Sequence, residues 1–140
     1  MPAARRPRPA PDGSPPLPAV MDRLDPFDAG FLVGILVGEG HFGGDGRQPQ
    51  VTLRMHTDHE ALFRWLMDRF PESRLYGPYD HSARSYYQWM ARGPFLRTTL
   101  LPILERHLRP EHSARAWARY QEMRLRYRLD PAAPLVPVVR

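Results

Sequence analysis

The chain has 140 residues, 42% of them hydrophobic, which suffices for one domain with one core and excludes a chain that is disordered throughout. It contains no cysteine, which excludes disulfides, thiolate chemistry and cysteine-based zinc sites. The net charge of +5 rests on 20 arginines with no lysine and favours a polyanionic partner such as nucleic acid, although genomic base composition alone also produces an arginine bias.

The N-terminal segment is rich in proline and arginine. Seven prolines lie within residues 1–20, and such a stretch buries too little apolar surface to offset the entropy lost on ordering. We therefore expect three regions: a disordered basic arm over residues 1–21, a folded domain over residues 22–129 and a flexible tail over residues 130–140.

The same prolines occupy the place where a signal peptide has its apolar stretch. The most apolar run, residues 31–37, is too short to span a bilayer. We expect a cytoplasmic protein that has no membrane partner.

The first predicted helix begins at Asp25 and Pro26, because aspartate suits the N-cap and proline suits the first helical position. It continues to about Gly38. Gly30, Gly34 and Gly38 recur every four residues, so they share one helical face. Each glycine costs about 1 kcal/mol in a helix interior. The glycines therefore indicate that another backbone approaches closely, from a neighbouring helix of this chain or from a second copy.

Glu39 follows this helix directly and lies between two glycines. If two such helices pack side by side, their Glu39 carboxylates converge. Converging carboxylates repel one another unless a divalent cation lies between them. The pattern predicts a metal site that needs two copies of the helix.

A strand pattern comes next, because residues 50–56 alternate between apolar and polar side chains. A weaker, glycine-rich strand is expected between residues 40 and 48. Thr57 and Glu60 have the spacing of a capping box, which predicts the start of a second helix that ends before Pro71.

A hairpin and two helices complete the predicted domain. Residues 74–79 and 86–92 form the strands of the hairpin, joined by a polar turn. The third helix starts at Gly93 and bends at Pro102, and the fourth covers residues 113–128. This order predicts an α+β fold with a curved antiparallel sheet backed by helices.

The segment from Leu32 to Gly40, Leu-Val-Gly-Ile-Leu-Val-Gly-Glu-Gly, resembles the LAGLIDADG motif of homing endonucleases in its variant ending Gly-Glu-Gly. The order of elements is also similar to the αββαββα core of that family, and the resemblance covers residues 27 to about 120. Because the chain carries one motif copy and no internal repeat, the resemblance implies a symmetric homodimer. The implied dimer interface consists of residues on the first helix: Gly30, Leu32, Gly34, Ile35 and Gly38.

The resemblance further implies a site-specific double-stranded DNA endonuclease that hydrolyses phosphodiester bonds with Mg²⁺ or another divalent cation. Glu39 matches the metal-binding acid of the family, with Gly38 beside it, and Val37 replaces the first acidic residue of the motif. The family keeps a basic residue, often lysine, near the site. This chain has no lysine, so the candidates for further catalytic roles are His59, Arg92, Arg106 and His107.

In the family, the strands form a saddle in the DNA major groove, which gives the polar strand faces of this chain a role. Arginine suits guanine, glutamine suits adenine, and tyrosine and threonine suit the DNA backbone. Without the resemblance, an ordinary solvated sheet face would be the favoured interpretation. The implied DNA-binding residues are Gln50, Thr52, Arg54, His56, Arg74, Tyr76, Tyr86, Gln88 and Arg92.

Two alternative functions stay open. One is a catalytically inactive DNA-binding or regulatory protein that keeps the LAGLIDADG scaffold; the absence of lysine favours it and the presence of Glu39 opposes it. The other is an RNA-binding splicing cofactor of the maturase kind.

Overall fold

The computed structural model describes residues 24–129, so the predicted arm (1–21) and tail (130–140) lie outside the described residues. The elements follow in the order α1 (Pro26–Glu39), β1 (Gly40–Gly44), β2 (Pro49–His56), α2 (Glu60–Arg69), β3 (Arg74–His81), β4 (Arg84–Arg92), α3 (93–107) and α4 (Ala114–Arg126). The predicted α+β fold is confirmed. No helix within residues 24–129 has the length and apolar character needed to cross a membrane.

The four strands form one antiparallel sheet in the order β1-β2-β4-β3. One face of the sheet is apolar and packs against the helices, as the alternation in the sequence predicts. Its central residues are fully buried: Val51 and Leu53 on β2, and Trp89 and Ala91 on β4. The opposite face is left to polar side chains.

The start of α1 forms as predicted. Asp25 caps the helix by accepting a hydrogen bond from the backbone N–H of Asp28 at 2.8 Å, and Pro26 lies in the first turn. The inward face of α1 consists of Ala29, Leu32, Val33 and Leu36, all buried. Leu32 is only 1% exposed because it packs in the core of its own chain. Its predicted place in a dimer interface is therefore wrong.

The entry into α2 differs from the prediction. A single 3₁₀ turn, Thr57–His59, precedes the helix. His56 caps this turn, because its Nδ1 accepts a hydrogen bond from the N–H of Asp58, and Thr57 does not act as the predicted cap. The predicted capping box does not form because Glu60 has other partners. Its carboxylate accepts hydrogen bonds from the Tyr87 hydroxyl at 2.6 Å and from Arg64 at 3.0 Å. The Tyr87 hydrogen bond, assisted by Arg64, lowers the pKa of Glu60.

The β3–β4 hairpin is longer than predicted. Ser82 and Ala83 alone form its turn, and both have positive φ (47° and 66°), as in the two-residue turns that match strand twist. A register shift near Gly77, which also has positive φ, brings Tyr79 opposite Tyr86.

The third helix, α3, runs continuously through Gly93–Phe95, Leu96–Leu100 and Leu101–His107, and its middle segment is a π-helical turn. Pro102 lacks an N–H and its ring conflicts with the carbonyl one turn earlier. The helix therefore widens just before Pro102, which is the physical form of the predicted bend.

Ser113 caps α4 by accepting a hydrogen bond from the N–H of Ala116. The helix packs on β1, where the ring of Tyr120 meets Phe42. The Tyr120 hydroxyl donates to Glu105 of α3 at 2.5 Å. These two contacts anchor α4 to both the sheet and α3. Burial and the hydrogen bond to Glu105 raise the pKa of Tyr120 far above its usual value.

Candidate functional site

Glu39 is the last residue of α1, and its side chain is exposed. The helix passes directly into β1 there, and the N–H of Gly40 donates to the carbonyl of Leu36. The C-terminal end of a helix carries partial negative charge, which favours a cation. Carboxylate and carbonyl oxygens are also the donors that Mg²⁺ prefers. One copy of the chain supplies a single carboxylate here, and residues 24–129 contain no group of three or more histidine, aspartate or glutamate side chains that could hold a metal ion. Glu39 could therefore serve as one charged ligand of a cation, and further ligands would have to come from outside this copy.

A cleft of about 410 Å³ lies beside Glu39, between the α1–β1 junction and the first two turns of α4. Its polar walls come from His41, Ser113, Arg115 and Arg119. The sequence interpretation named none of these four residues. The available signal was the pair Arg115 and Arg119, four residues apart on a predicted helix, but nothing local shows what that helix faces.

The glycine face of α1 consists of Gly30, Gly34 and Gly38. All three are exposed, and a Cβ added at any of them would meet nothing within 4 Å. No neighbouring helix within residues 24–129 therefore explains these glycines. Phe27 and Phe31, which are 77% and 43% exposed, continue the same outward face towards the start of the helix.

The polar sheet face is the side of the sheet that points away from the helices. The register places Gln50 opposite Arg92, Arg54 opposite Gln88, and His56 opposite Tyr86. The nine residues assigned to DNA binding all lie on this face: Gln50, Thr52, Arg54, His56, Arg74, Tyr76, Tyr86, Gln88 and Arg92. The structure adds His41, opposite Thr52, and Tyr79, opposite Tyr86.

Comparisons with known proteins bear on the fold. No family model and no curated protein sequence matches the chain. Among solved structures, the chain is similar to the group I intron-encoded homing endonuclease I-CeuI complexed with DNA, with a TM-score of 0.56 and 12% sequence identity. The similarity covers 76% of this chain and 61% of that chain.

The α+β fold of the chain is similar to that of this homing endonuclease. At 12% identity the similarity establishes the fold alone. Within this fold, α1 carries both the glycine face and Glu39, and the polar sheet face lies on the side of the sheet opposite the helices.

On the polar sheet face, three side chains hold one another in place. Arg54 donates through Nε and Nη2 to Oε1 of Gln88, at 3.3 and 2.9 Å. Its guanidinium also lies over the ring of Tyr86, 5.0 Å from the centroid. These contacts limit the conformations of Arg54 and Gln88, so less entropy is lost when either side chain engages a partner.

The four residues predicted for further catalytic roles do not line the Glu39 cleft. Arg92 lines a separate depression with Arg74, and His107 lines a groove along the glycine face. His59 is exposed in the turn before α2, and Arg106 is exposed on α3. Within one copy of the chain, none of these four residues therefore lies in the same cleft as Glu39.

Proposed function

We propose that the protein is a site-specific double-stranded DNA endonuclease that acts as a homodimer and hydrolyses phosphodiester bonds with Mg²⁺ or another divalent cation. The observation that carries the proposal is the outward face of α1, where three exposed glycines lead directly to Glu39. Two such helices packed through their glycines would bring two carboxylates together at the same end.

Each part of the site has a role in the proposed reaction. Glu39 holds the cation, assisted by the carbonyl-rich end of α1, and Gly34 and Gly38 permit the close approach of the second helix. The polar sheet face positions the duplex, with Arg54 and Gln88 directed at bases. A bound divalent cation would supply water activation and stabilisation of the leaving oxygen in an in-line displacement at phosphorus.

The substitution Glu39→Gln tests the proposal. The amide keeps the shape of the side chain and removes the charge that holds the cation, so we expect cleavage of a target selected from a randomised duplex library to fall by at least about 100-fold in Mg²⁺. Binding of the same duplex in EDTA should stay equal or become tighter, because an acid that repels phosphate has been removed.

The matched control is Glu111→Gln, which removes the same charge from an exposed position outside the cleft and should cut like the wild type. If Glu39→Gln cuts as fast as Glu111→Gln, the assignment of Glu39 is wrong and the proposed site fails with it.

A DNA-binding protein that does not cut is the second candidate, and the absence of lysine from the whole sequence favours it. Arginine stabilises an anion but stays charged and does not exchange protons readily. This candidate predicts no cleavage by either the wild type or Glu39→Gln, together with duplex binding that is indifferent to Mg²⁺. The same assays therefore separate the two functions.

A further inference from the structure

Two arginines of α4 face the cleft that contains Glu39. Arg115 and Arg119 are one helical turn apart, so they lie on the same side of the helix, and both line the cleft. They are 76 and 80 residues away from Glu39 in the sequence. The packing of α4 on β1 places these arginines in the same cleft as Glu39.

Neither arginine has an ionic partner in the described part of the chain. Arg64, Arg69 and Arg124 each form an ion pair with a carboxylate, whereas Arg115 and Arg119 form none within residues 24–129. Among residues 24–129, Glu39 is the only acid that lines the cleft, so two arginines and one glutamate give this lining a formal charge of +1. Such a cleft suits an anion.

The position of Arg115 in its helix supports the same conclusion. It lies in the first turn of α4, which contains no acidic residue. A cation there interacts unfavourably with the positive end of the helix dipole. An anion bound in the cleft would therefore interact favourably both with Arg115 and with the positive end of this helix.

We infer that Arg115 and Arg119 bind the DNA phosphate next to Glu39 and supply the positive charge at the site of cleavage. The inference rests on the proposed function. A guanidinium can donate two parallel hydrogen bonds to a phosphate and stays charged at every relevant pH, which suits stabilisation of the developing negative charge at phosphorus. Arg119 also lines the adjoining depression beside β1, together with Arg126 and Glu122.

The experiment compares Arg115→Ala and Arg119→Ala with Arg97→Ala, which removes the same charge from an exposed position on α3 outside the cleft. We expect each cleft substitution to lower the single-turnover cleavage rate on the order of 100-fold in Mg²⁺. Arg119→Lys should recover only part of the rate, because lysine keeps the positive charge but lacks the planar guanidinium that donates two hydrogen bonds. Arg97→Ala should cleave like the wild type.

Binding in EDTA over a series of salt concentrations gives an independent readout. Each lost phosphate contact should reduce the slope of log K against log salt by about 0.9, so one substitution in a symmetric dimer should reduce it by about 1.8. Arg97→Ala should keep the wild-type slope. The thermal midpoint of DNA-free Arg115→Ala should equal or exceed that of the wild type, which also shows that the variant is folded.

The inference is overturned if the double variant Arg115→Ala/Arg119→Ala cleaves and binds like Arg97→Ala. If the wild type binds duplex DNA but does not cut it, the proposed cleavage fails, and the slopes in EDTA alone then decide the inference. If the cleft variants and Arg97→Ala have equal slopes of log K against log salt, Arg115 and Arg119 do not contact phosphate. Smaller slopes for the cleft variants support the phosphate contacts.

Discussion

At Gly40 the chain leaves α1 without room for a side chain. A Cβ at this position would lie 2.6 Å from the carbonyl oxygen of Leu36, and that oxygen belongs to backbone, so it has no freedom to move aside. The turn from helix to strand therefore depends on glycine, and Glu39 projects from the helix end in the direction this turn sets. Gly40 is thus a positioning residue for the candidate metal ligand.

The contribution of His107 to folding stability depends on pH. Burial lowers its pKa below the ordinary 6.5, and the charges of Arg106 and Arg109 act in the same direction. Because the folded pKa is depressed, the unfolded state binds more protons as the pH falls below about 6.5. The contribution of His107 to folding stability is therefore fully present above that pH and is lost as the pH falls through the folded pKa.

We expect the thermal midpoint to decrease between about pH 7 and pH 5, and to decrease less in His107→Gln, since the variant lacks this proton uptake. Thermal unfolding followed by circular dichroism measures the difference. His81→Gln removes an exposed histidine of the hairpin and serves as the control. A pH dependence in His107→Gln as steep as in the control would contradict the prediction.

At the scale of elements, α1 combines three functions on one helix. Its inward face builds the core, its outward face is apolar and exposed, and its last residue is the candidate metal ligand. Phe31 on the flank packs edge-to-face against Trp65 of α2, with ring centroids 5.3 Å apart. The outward face is therefore held in place by its neighbours without being covered by them.

The substitution Gly34→Leu tests whether this face pairs with a second copy. The added side chain has open space within residues 24–129, so the protomer should fold, whereas a closely packed second helix would be pushed away. We expect a wild-type dimer and a Gly34→Leu monomer or aggregate at micromolar concentration, measured by light scattering. Ala61→Leu adds the same bulk at an exposed site on α2 and should remain dimeric. A monomeric wild type would remove the basis of the two-carboxylate site.

The whole molecule separates its polar surface from its core, with the polar sheet face on one side of the sheet and the helices on the other. The Glu39 cleft opens at the end of α1, where that helix continues into the first strand of the sheet. A duplex along the polar sheet face would meet arginines on several strands and reach the cleft at the sheet edge formed by β1. This arrangement predicts binding dominated by phosphate contacts.

We expect log K for duplex DNA to fall linearly with log salt, with a slope of about −0.9 for each phosphate neutralised. Arg54→Ala should weaken binding to the selected target by about 1–3 kcal/mol, since its guanidinium is held on the polar sheet face. Arg64→Ala, which removes an exposed charge paired with Glu60 on α2, should bind like the wild type. If binding does not depend on salt concentration, and Arg54→Ala and Arg64→Ala have equal affinities, the polar sheet face is an ordinary solvated surface.

Elements whose signals are local could be predicted from the sequence. Asp25 and Pro26 mark the start of α1 because a cap and a missing N–H act within one turn. The polar sheet face was predictable because side chains alternate along a strand, so Gln50 and Arg54 had to share one side. The glycines of α1 also indicate the close approach of another backbone, since they share one face of the helix.

Features that depend on contacts between distant parts of the chain could not be predicted from local patterns. Leu32 belongs to the core because of the elements that α1 packs against, which helical periodicity does not specify. The capping box at Thr57 was lost because Glu60 bonds Tyr87, which is 27 residues away. Arg115 and Glu39 line the same cleft because α4 packs against a strand from the opposite half of the chain, a proximity that no local pattern encodes.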